Sequence, residues 1–150
     1  GPVLNAHDGP LPAIRGVSAL EWALFLGIEP EITLHRIDAG IDTGGVYLRR
    51  RLVREDADDL DDLRVSAIGT ALDLLWEGLE RAWVGDLHPL DIAQAEDSGL
   101  QYFGMHAYLA EVLTWRLQSS LYRHPMRAIG EPSTSSARAE SREIDAEPTS

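Results

Sequence analysis

The sequence contains no cysteine and no lysine among its 150 residues, so all 13 basic residues are arginine. Without cysteine there is no disulfide framework, no thiolate nucleophile and no cysteine-bound zinc. The formal net charge of −12 argues against non-specific nucleic-acid binding, which needs clustered positive charge. No apolar run approaches the roughly 20 residues of a membrane-spanning helix, and no signal-peptide pattern is present. We therefore expect a cytoplasmic protein that binds neither nucleic acid nor membrane.

The length is sufficient for one domain with a substantial core and too short for two comfortable ones. The chain enters an apolar segment directly after Gly1 and Pro2. We interpret this segment as the end of a buried, parallel-type strand, and such a strand needs partners on both sides. The sequence is thus expected to be the C-terminal portion of a longer protein. Its open sheet edge would allow self-association or docking with a missing N-terminal half.

Two turn-rich segments, joined by an apolar helical connection, carry most of the polar side chains that could perform chemistry. In the first, Asn5 and His7 leave one face of a predicted strand, and the prolines at 8–12 then prevent regular structure. The second is the loop at 38–45, rich in glycine and aspartate, which follows a predicted strand over 31–38. Because ligands of open α/β sheets bind at loops that follow strands, both loops are candidate site elements.

The helices are predicted from capping residues and apolar periodicity. Ser18 and Glu21 match a capping box for a helix that ends before Gly27. The acidic cluster at 55–62 is typical of a helix start, because carboxylates favour the positive end of the helix dipole. The helix that follows is expected to end near residue 85 and to bury Leu60, Leu63, Ala67, Ala71, Leu75, Leu79 and Ala82. The four tryptophans lie at helical positions and are predicted to be core residues.

For the C-terminal part of the chain, the sequence predicts one more helix followed by a disordered segment. Residues 101–106 lead into that helix, and His106 is placed to cap it. The composition of residues 130–150 cannot bury enough apolar area to offset its ordering entropy, which predicts a disordered tail. We therefore divide the chain into residues 1–85, a helical extension at 86–129, and the tail.

The candidate catalytic residues are Asn5, His7 and Asp42. An amide can donate to a developing oxyanion, an imidazole titrates near neutrality, and a carboxylate can orient the imidazole and receive a proton. No side chain is an obvious activated nucleophile, so direct transfer to an amine fits better than a covalent intermediate. By spacing alone, a structural Asn–His pair remains an alternative. A metal site of His7, His35 and Asp42 lacks a fourth ligand, and His35 could simply be an exposed residue paired with Asp38.

The order of short motifs resembles the formyltransferase family that uses 10-formyltetrahydrofolate. An Asn-x-His strand is followed by a Leu-Pro-x-x-Arg-Gly turn, a helix, a Thr-x-His strand and an Asp-Thr-Gly loop. The matching residues are Asn5, His7, Leu11, Pro12, Arg15, Gly16, Thr33, His35, Gly40, Asp42, Thr43 and Gly44. The resemblance covers residues 3–54, and by pattern alone the following helix as well.

This resemblance implies an α/β fold that represents the C-terminal half of a Rossmann-like catalytic sheet, followed by two helices and the tail. It also implies that Asn5 and His7 polarise the formyl oxygen, while Asp42 keeps His7 protonated and helps to remove the proton of the attacking amine. The implied folate-binding residues are Gly9, Pro10, Leu11, Pro12, Ile41 and Thr43. The implied substrate-contacting or supporting residues are Arg15, His35 and Asp38.

The implied activity is formyl transfer from 10-formyltetrahydrofolate to a primary amine of a small molecule, such as an amino sugar or another metabolite. The sequence departs from the family in the loop Asp8-Gly9-Pro10, in the residues expected before the first strand, and in having no basic C-terminal barrel. The absence of that barrel and the negative charge argue against tRNA as the substrate. Two alternatives stay open: hydrolysis of formyltetrahydrofolate, and an inactive fragment or partner domain.

Overall fold

The computed structural model describes residues 2–53, 59–94 and 98–119. The elements of these residues are β1 (Leu4–His7), β2 (Ile14–Gly16), α1 (Ala19–Leu26), β3 (Glu31–Arg36), β4 (Val46–Arg51), α2 (Leu60–Trp83), β5 (Leu100–Tyr102) and α3 (Ala107–Gln118). The predicted α/β class, with two helices after the sheet, is confirmed. The tail predicted at 130–150 lies outside the described residues, and the division at residue 85 stays a prediction.

The larger sheet has the strand order β1-β3-β4, and both of its pairings are antiparallel. The first strand, predicted to be of the parallel type, therefore pairs with β3 in the antiparallel direction, and the prediction is wrong for this pair. The connection through β2 and α1 returns the chain in the opposite direction. The register places Asn5 opposite His35 and His7 opposite Thr33. Within the described residues, the far edge of β1 carries no strand.

A second, two-stranded sheet pairs β2 with β5 in parallel, and neither strand is predicted from the sequence. Three residues are too few to show the alternation by which strands are recognised. Gly16 lies opposite Tyr102 with a φ of 94°, and a Cβ at this position would lie 2.1 Å from the Tyr102 carbonyl oxygen. This close approach requires glycine, since an L-residue is both strained at such a φ and too large.

Helix α1 ends as predicted, but it does not begin with the predicted capping box. Gly27 takes a left-handed conformation with φ 69° at the C-terminus. Ser18 is also left-handed, with φ 56°, and its hydroxyl accepts the Met105 N–H at 3.2 Å instead of capping the helix. Glu21, the expected partner in the box, accepts two hydrogen bonds from Arg64, at 2.9 and 2.8 Å. Long-range contacts thus replace the local ones.

Helix α2 begins with a capping box made by the described part of the acidic cluster. The Asp59 side chain accepts from the N–H groups of Asp61 and Asp62, and the Asp62 side chain accepts from the Asp59 N–H. The interpretation of these carboxylates as a helix start is confirmed here, while residues 55–58 lie outside the described part of the chain.

The buried stripe of α2 differs from the predicted one in its C-terminal half. Leu75 and Leu79 are 37% and 57% exposed, whereas Leu74 is 1% exposed. Gly78 replaces Leu79 on the sheet-facing side, where a Cβ would lie 2.4 Å from Leu34 Cδ2. The prediction is wrong because successive steps of four residues overrun the helical period of 3.6 and rotate away from the core.

The opposite side of α2 is apolar and exposed. We call it the outer face of α2, and its residues are Ile68, Leu72, Trp76, Leu79 and Trp83. The prediction that the tryptophans belong to the core is therefore wrong for Trp76 and Trp83, and Trp115 of α3 is exposed as well. Among the described helices, none combines the length and apolar character needed to cross a membrane.

The core lies between the larger sheet and the three helices. Its buried residues are Leu20, Leu24, Ile32, Leu52, Leu60, Leu63, Ala67, Leu74, Leu113 and Leu117. The predicted cap of α3 is confirmed, since His106 Nδ1 accepts the Tyr108 N–H at 3.2 Å. The packed helices support one side of β1 and β3 and thereby position the polar residues on these strands.

Candidate active site

Strands β1 and β3 place an amide and two imidazoles side by side. Asn5 and His7 alternate onto one face of β1, and His35 lies opposite Asn5 in the ladder. The rings of His7 and His35 are nearly perpendicular, with centroids 6.2 Å apart. The loop that follows β3 brings Asp42 into contact with both rings, so the four side chains form one cluster.

The His7 ring is oriented by a backbone carbonyl. The residue is buried, and its Nε2 lies 3.0 Å from the Ile14 carbonyl oxygen. Because a carbonyl can only accept, Nε2 carries its proton and donates it there. Nδ1 faces Asp42 Oδ2 at 3.6 Å and Asp8 Oδ1 at 3.9 Å. A ring held in this way can donate from Nδ1 only as the imidazolium.

Asp42 is fixed by contacts from three directions. Its backbone is left-handed, with φ 53°, and its Oδ2 accepts the Gly16 N–H at 2.8 Å. Its Oδ1 lies 3.4 Å from His35 Nε2. Burial acts to raise the pKa of Asp42, but the contact with His35, the Gly16 N–H and the charge of His7 together lower it below the usual value. The carboxylate form is therefore favoured at neutral pH.

His35 is buried at the centre of the cluster, and the interpretation of an exposed residue paired with Asp38 is wrong. Asn5, His7 and Asp42 cover the His35 ring, whereas Asp38 lies beyond the end of β3 and is exposed. His35 Nδ1 donates to the Arg36 carbonyl at 2.9 Å, and Nε2 lies 3.1 Å from the Asn5 amide nitrogen. As the neutral tautomer His35 accepts from Asn5, whereas as the imidazolium it donates to Asp42.

The loop after β1 packs tightly behind His7. A Cβ on Gly9 would lie 2.8 Å from His7 Nε2, so this approach needs glycine. The Thr33 hydroxyl donates to the Gly9 carbonyl at 2.7 Å and accepts the Leu11 N–H at 3.4 Å. Of the predicted folate residues, Gly9, Pro10 and Leu11 are buried, Pro12 and Thr43 are partly buried, and Ile41 is exposed.

The remaining predicted residues stabilise the surrounding segments. Arg15 is buried on β2 and donates to Ser98 Oγ at 3.0 Å. Asp38 accepts from the Thr43 hydroxyl at 2.6 Å and from the Gly40 N–H at 3.1 Å, and these bonds lower the pKa of its carboxyl. They organise the loop that carries Asp42.

Sequence reasoning did not identify two contributors to the site. The Gly16 N–H holds Asp42, and the Asp8 carboxylate lies beside the same nitrogen of His7 as Asp42 does. The position of Asp8 directly after His7 is a signal that could have identified it. In the part of the chain that the structure describes, no three histidine or acidic side chains are arranged to hold a metal ion.

Part of this chain is similar to proteins of known activity. No family model matches the sequence. The methionyl-tRNA formyltransferase of Cyanothece sp. is 36% identical over 113 residues, which are 66% of this chain and 33% of that protein. The chain is related to the formyltransferases over part of their length. It spans about a third or less of the length of these curated relatives.

Solved structures show the same fold. The formyltransferase PseJ from Anoxybacillus kamchatkensis, in complex with UDP-4,6-dideoxy-4-formamido-L-AltNAc and tetrahydrofolate, matches with a TM-score of 0.59 and 24% identity, over 67% of this chain and 51% of its own. The N-formyltransferase from Helicobacter canadensis, in complex with folinic acid and dTDP-3-aminofucose, matches with a TM-score of 0.58 and 24% identity, over 67% and 37%. The predicted partial formyltransferase fold is thus confirmed.

Proposed function

We propose that the protein to which this chain belongs transfers a formyl group from 10-formyltetrahydrofolate to a primary amine of a small molecule. The observation that carries this proposal is the convergence of Asn5, His7 and Asp42 on one face of β1 and β3, within a formyltransferase fold. The structural neighbours that contain tetrahydrofolate or folinic acid support the choice of formyl donor.

The roles of Asn5 and His7 follow from the direction of their donors. The Nε2–H group of His7 donates to the Ile14 carbonyl, so the formyl oxygen can accept a hydrogen bond only from a protonated Nδ1. When His35 is neutral, one amide N–H of Asn5 donates a hydrogen bond to His35 Nε2. The second amide N–H can then donate to the formyl oxygen. Two such donors stabilise the charge that develops on the oxygen during attack, each contributing roughly 3 to 4 kcal/mol.

Asp42 holds the proton on His7 Nδ1. Its lowered pKa keeps it ionised at neutral pH, and the Gly16 N–H keeps its Oδ2 in place. A fixed negative charge 3.6 Å from Nδ1 stabilises the imidazolium that formyl activation needs. The loops 9–12 and 41–43 would border the folate, as the resemblance implies.

The amine is proposed to belong to an amino sugar. The neighbours that were solved with nucleotide-linked sugars support this class. The net charge of −12 disfavours tRNA, although the matching relatives include methionyl-tRNA formyltransferases. The far edge of β1, which has no strand partner among the described residues, is where we place docking of a further segment of the protein.

Two substitutions test the proposed function in the full-length product of the gene. His7→Ala and Asp42→Asn should each lower turnover of 10-formyltetrahydrofolate by a factor in the range of roughly 10² to 10⁴, as expected for acid–base groups. His88→Ala is the matched control, because His88 is exposed and lies outside the cluster. Wild-type turnover in both site variants would refute the proposal. Release of formate without an amine would instead indicate a hydrolase.

Folate binding is tested separately by calorimetry with 5-formyltetrahydrofolate, a stable mimic of the donor. It should be measured on this 150-residue chain and on the full-length product. Binding by the longer protein alone would support a pocket completed by a further segment at the β1 edge. Absence of binding to both would refute folate use and leave the inactive-domain alternative.

A further inference from the structure

The outer face of α2 has the spacing of a helix–helix contact. With the adjoining Val65 and Leu75, its exposed apolar residues follow one another at steps of three and four: Val65, Ile68, Leu72, Leu75, Leu79 and Trp83. Near the end of the helix, Trp76, Leu79 and Trp83 line a groove of about 510 Å³. Residues three and four apart lie on one side of a helix, and such an apolar stripe is how one helix packs against another. A contiguous apolar patch that is left exposed is typical of an interaction surface.

The side of α2 next to β4 is polar and already has a partner. Arg50 of β4 pairs with Glu77 at 2.6 Å and lies 3.9 Å from Asp73. Ile68 and Glu77 are nine residues apart, and at about 100° per residue this places them on opposite sides of the helix. The outer face therefore points away from β4, which is an edge strand of the sheet.

The outer face is turned toward β1 instead. Ile68 and Ala71 of α2 line a cavity together with Ala6 of β1, on the side of the sheet that the helices cover. Helix α2 also lies above this strand, because a Cβ on Gly78 would lie 3.9 Å from Leu4 Cδ1. Among the described residues, no strand pairs with the far edge of β1. The outer face of α2 and the open edge of β1 thus lie on the same side of the protein.

We propose that the outer face of α2 is the docking site for an amphipathic helix of the further segment of the protein, the same segment that would extend the sheet at β1. Packed helices lie about 8 to 10 Å apart, and neighbouring strands lie about 4.8 Å apart. A helix beside α2 would therefore lie above about two strands beyond β1, which the described residues do not supply. A segment that contains both strands and a helix covers both surfaces at once.

The further segment has the length and the position that this role needs. The chain spans 33% of the Cyanothece relative, so the larger part of such a protein lies outside it. A strand–helix–strand unit takes only about 30 residues. Because β1 begins at Leu4, a segment before Gly1 would join the sheet at the strand that it extends. A second copy that packed its own outer face here would leave the edge of β1 unpaired. Without the further segment the face, including Leu79, stays exposed.

Hydroxyl-radical footprinting of the full-length product, read by mass spectrometry at each tryptophan, tests whether the face is covered. In this chain Trp76, Trp83 and Trp115 are 64%, 89% and 61% exposed. In the full-length product Trp76 and Trp83 should react at least about fivefold more slowly than Trp115, because a packed helix leaves little of an aromatic ring accessible. Trp115 is the matched control, since it lies on α3 and outside the outer face. Equal reactivity of the three tryptophans in the native protein would overturn the proposal.

Photo-cross-linking identifies what covers the face. In the full-length product, p-benzoylphenylalanine in place of Trp76 should cross-link within one molecule to a peptide outside these 150 residues. The same group in place of Asp73 is the control, because Asp73 lies on the side of α2 next to β4 and should give no such link. A link between two copies, a link to residues 120–150, or no link from the Trp76 site would each overturn the proposal.

Neither measurement depends on catalysis. The inference shares with the proposed function the docking of the further segment at β1, but it does not need formyl transfer. A covered outer face in a protein that makes no formamide would refute the formyl transfer alone. An active protein in which Trp76 stays as reactive as Trp115 would refute the docked helix alone.

Discussion

Gly16→Ala should damage both the fold and the site, because Gly16 connects β5 to Asp42. A Cβ at this position would lie 2.1 Å from the Tyr102 carbonyl oxygen, and the φ of 94° is unfavourable for alanine. The φ strain costs about 1 to 2 kcal/mol. Relief of the contact must also break the bond from the Val17 N–H to Tyr102, a net loss of about 1 kcal/mol. The free energy of unfolding should therefore fall by about 2 to 3 kcal/mol.

Gly85→Ala separates the two contributions. Gly85 has a similar φ of 77°, but nothing lies within 4 Å of the Cβ position, so this variant should lose only about 1 to 2 kcal/mol. Urea unfolding can be followed by tryptophan fluorescence, to which Trp22 contributes with its ring 5.0 Å from that of Tyr102. Formyl transfer should fall only in Gly16→Ala, because the Gly16 N–H is the one that holds Asp42. Equal destabilisation of the two variants, with equal activity, would refute this reasoning.

Two further predictions concern stability. Asp8→Asn should raise the melting temperature at pH 7. The pKa of Asp8 is raised in the folded protein, so its ionisation opposes folding above the ordinary carboxyl range. The gain in melting temperature should shrink as the pH falls below about 4, and a gain that grows in acid would contradict this prediction. Leu74→Ala should cost about 2 to 5 kcal/mol, whereas Leu79→Ala should stay within about 0.5 kcal/mol, and equal losses in urea unfolding would restore the originally predicted stripe of α2.

The parts of the fold that could be predicted are those coded by local sequence. The end of α1 at Gly27 depends on a single left-handed residue, and the start of α2 depends on carboxylates within one turn. Both signals need no distant partner. The parts that could not be predicted depend on distant contacts. Ser18 and Glu21 bind Met105 and Arg64 instead of each other, and no local pattern reveals such partners.

The candidate site shows the same division. The face shared by Asn5 and His7 follows from strand alternation, and the contact of Asp42 with His7 agrees with the motif order. The burial of His35 could not be predicted from alternation, because the ring is covered by side chains of β1 and of the loop after β3. The hydrogen bond from Gly16 to Asp42 is donated by a main-chain N–H. Every residue except proline has this group, so the residue type does not reveal the bond.

The pairing of β2 with β5 also affects the order in which the site can form during synthesis. β1 and β3 are close in the sequence, so their pairing closes a shorter loop than the pairing of β2 with β5 does. Gly16 reaches its final position only when Tyr102 has been synthesised and can lie opposite it. Amide hydrogens of β2 should accordingly exchange faster than those of β3, because β2 closes the longer loop.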